Sequence, residues 1–218
     1  MKLLAISTAK KKTIPFGKKT IETGIFKQAA TGPKQVFADH IEGDEQADLK
    51  NHGGFSKAVY AYGFQHYPYW QKELSLSEMP YGSFGENLTI ETLDENEFHI
   101  GDKYQLGDTV LVVSQPRVPC FKLGIKFDLP TMPKLFSKSL KTGIYFSVEK
   151  TGKIDIGDSF RLIEKAKDSV SVQALFAAFF HQPIEESKSL LTKATNISGL
   201  SPEWRQQIIS YLDKYKTN

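Results

Sequence analysis

Cysteine is nearly absent. The chain of 218 residues has one, Cys120, so an internal disulfide framework is excluded and a reducing compartment suits it. One thiol cannot build an iron–sulfur cluster, and no Cys/His cluster along the chain resembles a structural zinc site. Long apolar runs are also missing. No segment approaches the roughly 18 residues of a membrane helix, and "MKLLAIS" is too short for a secretory signal and is followed by lysines. A glycine-rich dinucleotide fingerprint is missing too. Excess charge is small: a net +3 does not make nucleic acid a main partner. The expectation is a cytoplasmic protein with no membrane and no nucleic-acid association.

What is present is a globular composition. Hydrophobic residues make up 40% and charged residues 24% of the chain, enough for a real core with a soluble surface. The length fits one large domain, or one of ordinary size with an appendage. Lys10, Lys11, Lys12, Lys18 and Lys19 lie close together around Pro15 and Gly17 and are expected to form a solvated loop.

The first three quarters read as β-rich. "KLLAIS", "TIETGIFK" (broken by Gly24), "KQVFADHI" and "KAVYAYG" are strand-like. "TVLVVSQ" has the β-branched content of a buried strand. "FQHYPYWQKEL" suggests a short helix whose start is blurred by Pro68. "HIGDKYQL" (99–106) echoes "DIGDSFRL" (155–162); either two related β units or a common Ile-Gly-Asp turn would explain it. After about Lys165 the period becomes helical. Val172, Leu175, Phe176, Phe179 and Phe180 follow a candidate N-cap, Ser171. Pro183 suits a first helical position, and Ser201-Pro202 opens a stripe of Trp204, Ile208, Tyr211, Leu212 and Tyr215. The division is therefore a β domain over 1–165 and three helices over 166–218. Apolar positions on those helices serve either a homodimer or packing on the β domain.

Three stretches carry chemistry-bearing residues. "NHGGFSKA" pairs His52, Gly53 and Gly54 with Lys57; glycines let backbone N–H groups turn toward an anion. "GSFGENLT" supplies Glu86 and Asn87. "QPRVPCFKL" sets Cys120 between Pro119 and Phe121, near Arg117 and Lys122. A lone buried cysteine is by default a small apolar filler. Here two prolines disfavour a regular central strand, and nearby cations favour thiolate, a nucleophile or a soft-metal ligand. An extended chain would place Cys120 and Lys122 on one side. None of the five histidines carries a hydrolase signature.

Taken in order, "GDEQADLKNHGGFSKAVYAY", "FGENLTI", "IGDKYQLGDTVLVVSQPRVPCFKL" and "LSPEWRQQII" resemble the MOSC domain family (molybdenum cofactor sulfurase C-terminal domains), in its stand-alone bacterial YiiM type. The resemblance covers nearly the whole chain. It implies a mainly β fold with some α: a MOSC β-barrel-like domain followed by a small three-helix domain. It implies the molybdenum cofactor in its molybdopterin form, with Cys120 as ligand to molybdenum and as the catalytic residue. The phosphate of such a cofactor needs basic groups and free backbone N–H, which assigns Gly53, Gly54, Lys57 and Arg117 to it, with Glu86, Asn87, Lys122 and His52 as further cofactor-binding candidates and His52 also the nearest proton-donor candidate. The implied activity is reduction of N–OH to N–H in small N-hydroxylated compounds such as 6-hydroxylaminopurine, with electrons from a separate donor protein. A molybdenum cofactor carrier, or a sulfur carrier without turnover, is the alternative.

Overall fold

The computed structural model describes residues 1–47 and 53–215. Among these, β1 (Leu3–Thr8), β2 (Lys12–Phe16), β3 (Lys19–Thr23), β4 (Gln28–Ala29), β5 (Lys34–Val36) and β6 (Val59–Gly63) lead into a helix, α1 (Tyr67–Glu73). Then come β7 (Leu88–Ile90), β8 (Lys103–Leu106) and β9 (Thr109–Pro116), followed by α2 (Phe121–Lys126) and α3 (Met132–Ser139). Next are β10 (Ile144–Lys150), β11 (Gly152–Ile154) and β12 (Arg161–Glu164). Three helices end the described chain: α4 (Val172–Phe180), α5 (Ile184–Ala194) and α6 (Pro202–Lys214).

Eight strands form one sheet in the order β12-β8-β9-β10-β6-β7-β1-β4. Only β6 and β7 run parallel in it. The sheet curls until the segment before β12 meets the start of β1: Leu3 N–H donates to Asp158 O at 3.0 Å and Phe160 N–H to Met1 O at 2.9 Å. Curling in this way satisfies the backbone groups an open edge would expose. Strand alternation drives it, since β8 buries Tyr104 and Leu106 and turns Lys103 and Gln105 outward. Inside, Phe98, Tyr104 and Phe160 stack with centroids 4.6 and 4.9 Å apart.

The sequence echo is explained by a repeated turn. In both copies the Asp closes the turn on the residue three before it: Asp102 Oδ2 accepts from His99 N–H at 3.1 Å, and Asp158 Oδ2 from Asp155 N–H at 2.8 Å. Gly101 and Gly157 take φ +89° and +91°, the left-handed region that glycine reaches without strain. The strands that follow, β8 and β12, pair with each other.

Three local expectations need correction. The lysine run is an exposed two-stranded hairpin, β2 with β3, rather than a loop. Only Lys34–Val36 of "KQVFADHI" is strand. Pro183 caps α5 instead of opening it. The other helix signals hold. Ser171 accepts from Ala174 N–H at 3.1 Å and Ser201 from Trp204 N–H at 3.2 Å, each satisfying an end group the helix cannot. Pro68 sits in the first turn of α1.

The tail helices pack on the sheet. Val172, Leu175, Phe176, Leu191, Trp204 and Ile208 belong to the same buried cluster as Leu111, Val113 and Phe146. Gly199 lies so close to Gly101 that a Cβ added there would sit 2.4 Å from the Gly101 Cα, and Ser201 N–H donates to Ser114 O of β9 at 3.1 Å. This explains why β9 alternates at first and is then buried on both faces from Val113 to Pro116.

Candidate functional site

β9 carries the chain through the middle of the sheet to Pro116. A proline is tolerated there at the strand's end, beside the register shift between Tyr145 and Phe146 of β10. The next residue, Arg117, donates its N–H to Gly143 O at 3.4 Å. Cys120 is extended (φ −117°, ψ 172°) and α2 starts immediately after it. The extended-chain reason for grouping Cys120 with Lys122 therefore fails, since a helix turns positions two apart by about 200°. Both nevertheless line one cavity, which wraps around the first turn of α2.

That cavity lies between the start of α2, the end of β3, Tyr60 of β6 and the loop that leads into β7. It is a half-open cavity of about 100 Å³. Of the residues singled out from sequence, Lys57, Asn87, Arg117, Cys120 and Lys122 line it. Gly53, Gly54 and Glu86 are not on its lining, and His52 lies outside the described residues.

Arg117 is the most unusual of these side chains. It is buried, and its guanidinium lies 5.2 Å from the Tyr60 ring centroid and 5.0 Å from that of Phe136. Its Nη1 is buried with no hydrogen-bond partner among the described residues. Burial opposes its charge, but Tyr60, Tyr145, Cys120 and Glu86 hold its pKa above the ordinary value. Cation–π contact offsets part of the desolvation but leaves the N–H unsatisfied. A buried cation with an orphan donor, bordering a cavity, is built for an anion or a strong acceptor.

Asn87 is fully engaged. Its Oδ1 accepts from Tyr60 N–H at 3.2 Å, and its Nδ2 donates to Asp44 Oδ2 at 2.9 Å and Ser7 O at 3.3 Å. Asp44 in turn accepts from Ala9 N–H at 2.9 Å and pairs with Lys27. Burial pushes Lys27 below the usual lysine pKa, against the pull of Asp44. Lys57 reaches across to Glu203 on α6, tying the tail to the rim. Gly54 N–H donates to Gln46 Oε1 at 3.1 Å, so it positions a lining residue and does not face the cavity.

Glu86 is spent inside the wall. Its Oε1 accepts from Tyr67 Oη, from Gly82 N–H at 2.9 Å and from Thr89 Oγ1 at 3.3 Å, and its Oε2 accepts from Phe84 N–H at 2.9 Å. It thereby shapes the loop that presents Phe84 and Gly85 to the cavity. Behind it, Lys126 donates to Ile25 O at 2.9 Å and to Gly82 O. Burial lowers the Lys126 pKa to about 8, opposed by Glu86.

Sequence reasoning missed Lys27, Asp44 and Tyr145 on the cavity wall. They come from distant segments without a local signature. Among the described residues no three His, Cys, Asp or Glu side chains converge as a metal cage, and no helix is long and apolar enough to cross a membrane.

Residues 48–161 match the MOSC domain. The uncharacterized protein YflK of Bacillus subtilis is 35% identical over 97% of this chain and 95% of its own. Protein YiiM of Escherichia coli is 33% identical over 91% of this chain and 87% of its own. A protein named reductase from Gibberella moniliformis is 39% identical over 70% of this chain, which spans 28% of that longer protein. The crystal structure of YiiM from Geobacillus stearothermophilus superposes with a TM-score of 0.81 at 29% identity, covering 96% of this chain and 97% of that one. The chain belongs to the MOSC domain family, as a member of its YiiM type.

Proposed function

We infer that this protein is a molybdenum-cofactor-dependent reductase of N-hydroxylated compounds. The observation that carries the reading is the buried Arg117 donor without a partner, on the wall of the cavity that Cys120 also lines. The donor set fits the cofactor: one soft sulfur for a thiophilic metal, and cations for a phosphate-bearing pterin. Cys120 would be the protein's ligand to molybdenum. Arg117, Lys122 and Lys57 would hold the anionic end, with Asn87 and Asp44 fixing the opposite wall. When bound, the cofactor supplies two-electron chemistry at the metal.

The chain's own groups orient and shield. Burial of Arg117 beside the partly covered Cys120 strengthens its charge–dipole contacts there. The buried Lys27–Asp44 pair sets a fixed polar pair on the cavity wall. In the overall reaction the N–O bond breaks, two electrons and two protons are taken up, and the products are N–H and water. The electrons come from a separate donor protein. The relative named reductase supports the class of reaction.

The test is to express wild type and Cys120→Ser in a host that makes the cofactor and measure molybdenum and pterin per chain, then turnover of 6-hydroxylaminopurine with an artificial electron donor. Loaded, active wild type and a metal-poor variant are expected. A loaded but inactive wild type would make the protein a carrier, and a wild type that takes up no cofactor would end both readings.

A further inference from the structure

Residues 10–22 hold five lysines, Lys10, Lys11, Lys12, Lys18 and Lys19, against one acid, Glu22, a net +4 where the whole chain has +3. The rest of the protein is therefore slightly acidic, and its positive charge is gathered on the β2–β3 hairpin. Lys10 pairs with Glu45 at 3.0 Å. Lys12, Lys18 and Lys19 are exposed, and among the described residues none of them meets a carboxylate within ion-pair distance.

The hairpin stands outside the eight-stranded sheet. A two-stranded ribbon alone is marginally stable in water, so its contacts with the body matter. Its register sets Phe16 across from Lys19, Ile14 across from Ile21 and Lys12 across from Thr23. Strand alternation puts these six on one face. At the base of that face Thr23 lines the cavity. At the tip Phe16 packs on Phe121, the residue after Cys120, with ring centroids 4.8 Å apart. That contact leaves the rings half uncovered. Phe16 and Phe121 each remain 47% exposed, and Val118, two residues before Cys120, 38%. Lys18 and Lys19 flank the pair on the hairpin, and Lys122 flanks it on α2. An apolar centre with a charged rim suits a protein–protein contact.

Charge decides which partner. A second copy would set these lysines against each other in a two-fold contact. Nucleic acid would run past the ribbon onto a slightly acidic body. A compact acidic protein meets neither penalty. We propose that the tip of the β2–β3 hairpin, together with Phe121, is the docking surface for an acidic electron-carrier protein: the lysines steer it, and the Phe16–Phe121 pair seats it beside Cys120. The redox role rests on the reductase reading; the acidic character of the partner rests on the surface. A one-electron carrier is oxidised by one electron at each encounter, so two encounters supply the pair that N–O cleavage consumes, and the two protons come from solvent. Electron-transfer encounters bury less than about 1,200 Å², which a patch of this size can provide.

The probe is a plant-type ferredoxin, an acidic one-electron carrier of low potential. Affinity is read by titration calorimetry, and the rate of oxidation of reduced ferredoxin is read with cofactor-loaded protein. Both are compared in wild type, in the double variant Lys18→Glu/Lys19→Glu and in Phe16→Ser. The double variant is expected to lose about tenfold in affinity and rate at low salt, the size of a steering effect. Wild type should lose a similar factor when salt is raised to about 0.5 M. Phe16→Ser should weaken affinity about fivefold at either salt. Oxidation of reduced methyl viologen, a small cation that needs no docking surface, should not slow in any variant. No binding of ferredoxin by wild type, or equal affinity and rate in the double variant, would overturn the surface. Lysine-dependent binding of phosphatidylserine vesicles without binding of ferredoxin would overturn it too, as would an equal slowing with methyl viologen. Loaded protein that oxidises ferredoxin through Lys18 and Lys19 yet leaves N-hydroxylated compounds unreduced would keep the surface and remove the reductase reading. The affinity readout does not need the cofactor, and both lysines are exposed, so neither loading nor folding decides the result.

Discussion

Replacing Glu86 by Gln tests whether this carboxylate builds the wall instead of binding the cofactor. Wild type has acceptors on both oxygens: Oε1 toward Gly82 N–H and the Tyr67 and Thr89 hydroxyls, Oε2 toward Phe84 N–H. An amide offers one oxygen, so its NH2 must face either the Gly82 or the Phe84 backbone N–H. At least one charge-assisted bond is lost and a donor is set against a donor. Such bonds are worth about 1.5–3 kcal/mol, and the stranded N–H adds to the loss, so a destabilisation of about 3 kcal/mol is expected. At about 2–4 °C per kcal/mol for a chain of this size, Tm should fall by about 6–12 °C in a scan followed by circular dichroism at pH 7. The Gly82–Gly85 loop would loosen with it, exposing its amides to faster hydrogen exchange. A fall below 2 °C, with unchanged exchange at Gly82 and Phe84, would refute the reasoning and return Glu86 to the list of ligand contacts.

Gly199→Ala should cost about 1–3 kcal/mol of stability, because its methyl would meet the Gly101 backbone at 2.4 Å and push the tail from the sheet; an unchanged urea midpoint would contradict close docking there. Lys126 sets a pH signature. Its folded pKa of about 8 lies below the ordinary 10.5, so between those values the unfolded chain binds more protons and this group's contribution to stability rises with pH. Urea midpoints at pH 8 and pH 10 should show a smaller rise in Lys126→Met than in wild type; equal changes would deny that Lys126 is buried charged. Cys120→Ser should leave the unfolding midpoint of cofactor-free protein within about 0.5 kcal/mol, since the thiol is only half-buried, while cofactor content falls. A large loss of stability in apo protein would make Cys120 a packing residue.

Helix ends and strand cores were legible because their signals are local. Ser171 and Ser201 hydrogen-bond residues three ahead, and the period of Val172, Leu175 and Phe176 needs only the next two turns. α2 and α3 escaped notice: Pro116 and Pro119 announce irregular backbone, but the helical turn after Cys120 is held by contacts such as Leu123 and Phe136 in a second aromatic core. The site divides the same way. Arg117, Cys120 and Lys122 share one stretch and were read together. Lys27 and Asp44 carry no spacing signal, because only the curl of the sheet brings them to the wall.

The sequence by itself determined the family, the lone thiol with its neighbouring cations, and the helical nature of the tail, since each depends on residue identity and short-range order. Only the tertiary structure decided that Glu86 faces inward while Asn87 beside it reaches the cavity, and that the lysine hairpin brings Phe16 onto Phe121 beside Cys120. Those outcomes depend on which groups find partners once distant segments pack, and short-range order holds no record of that.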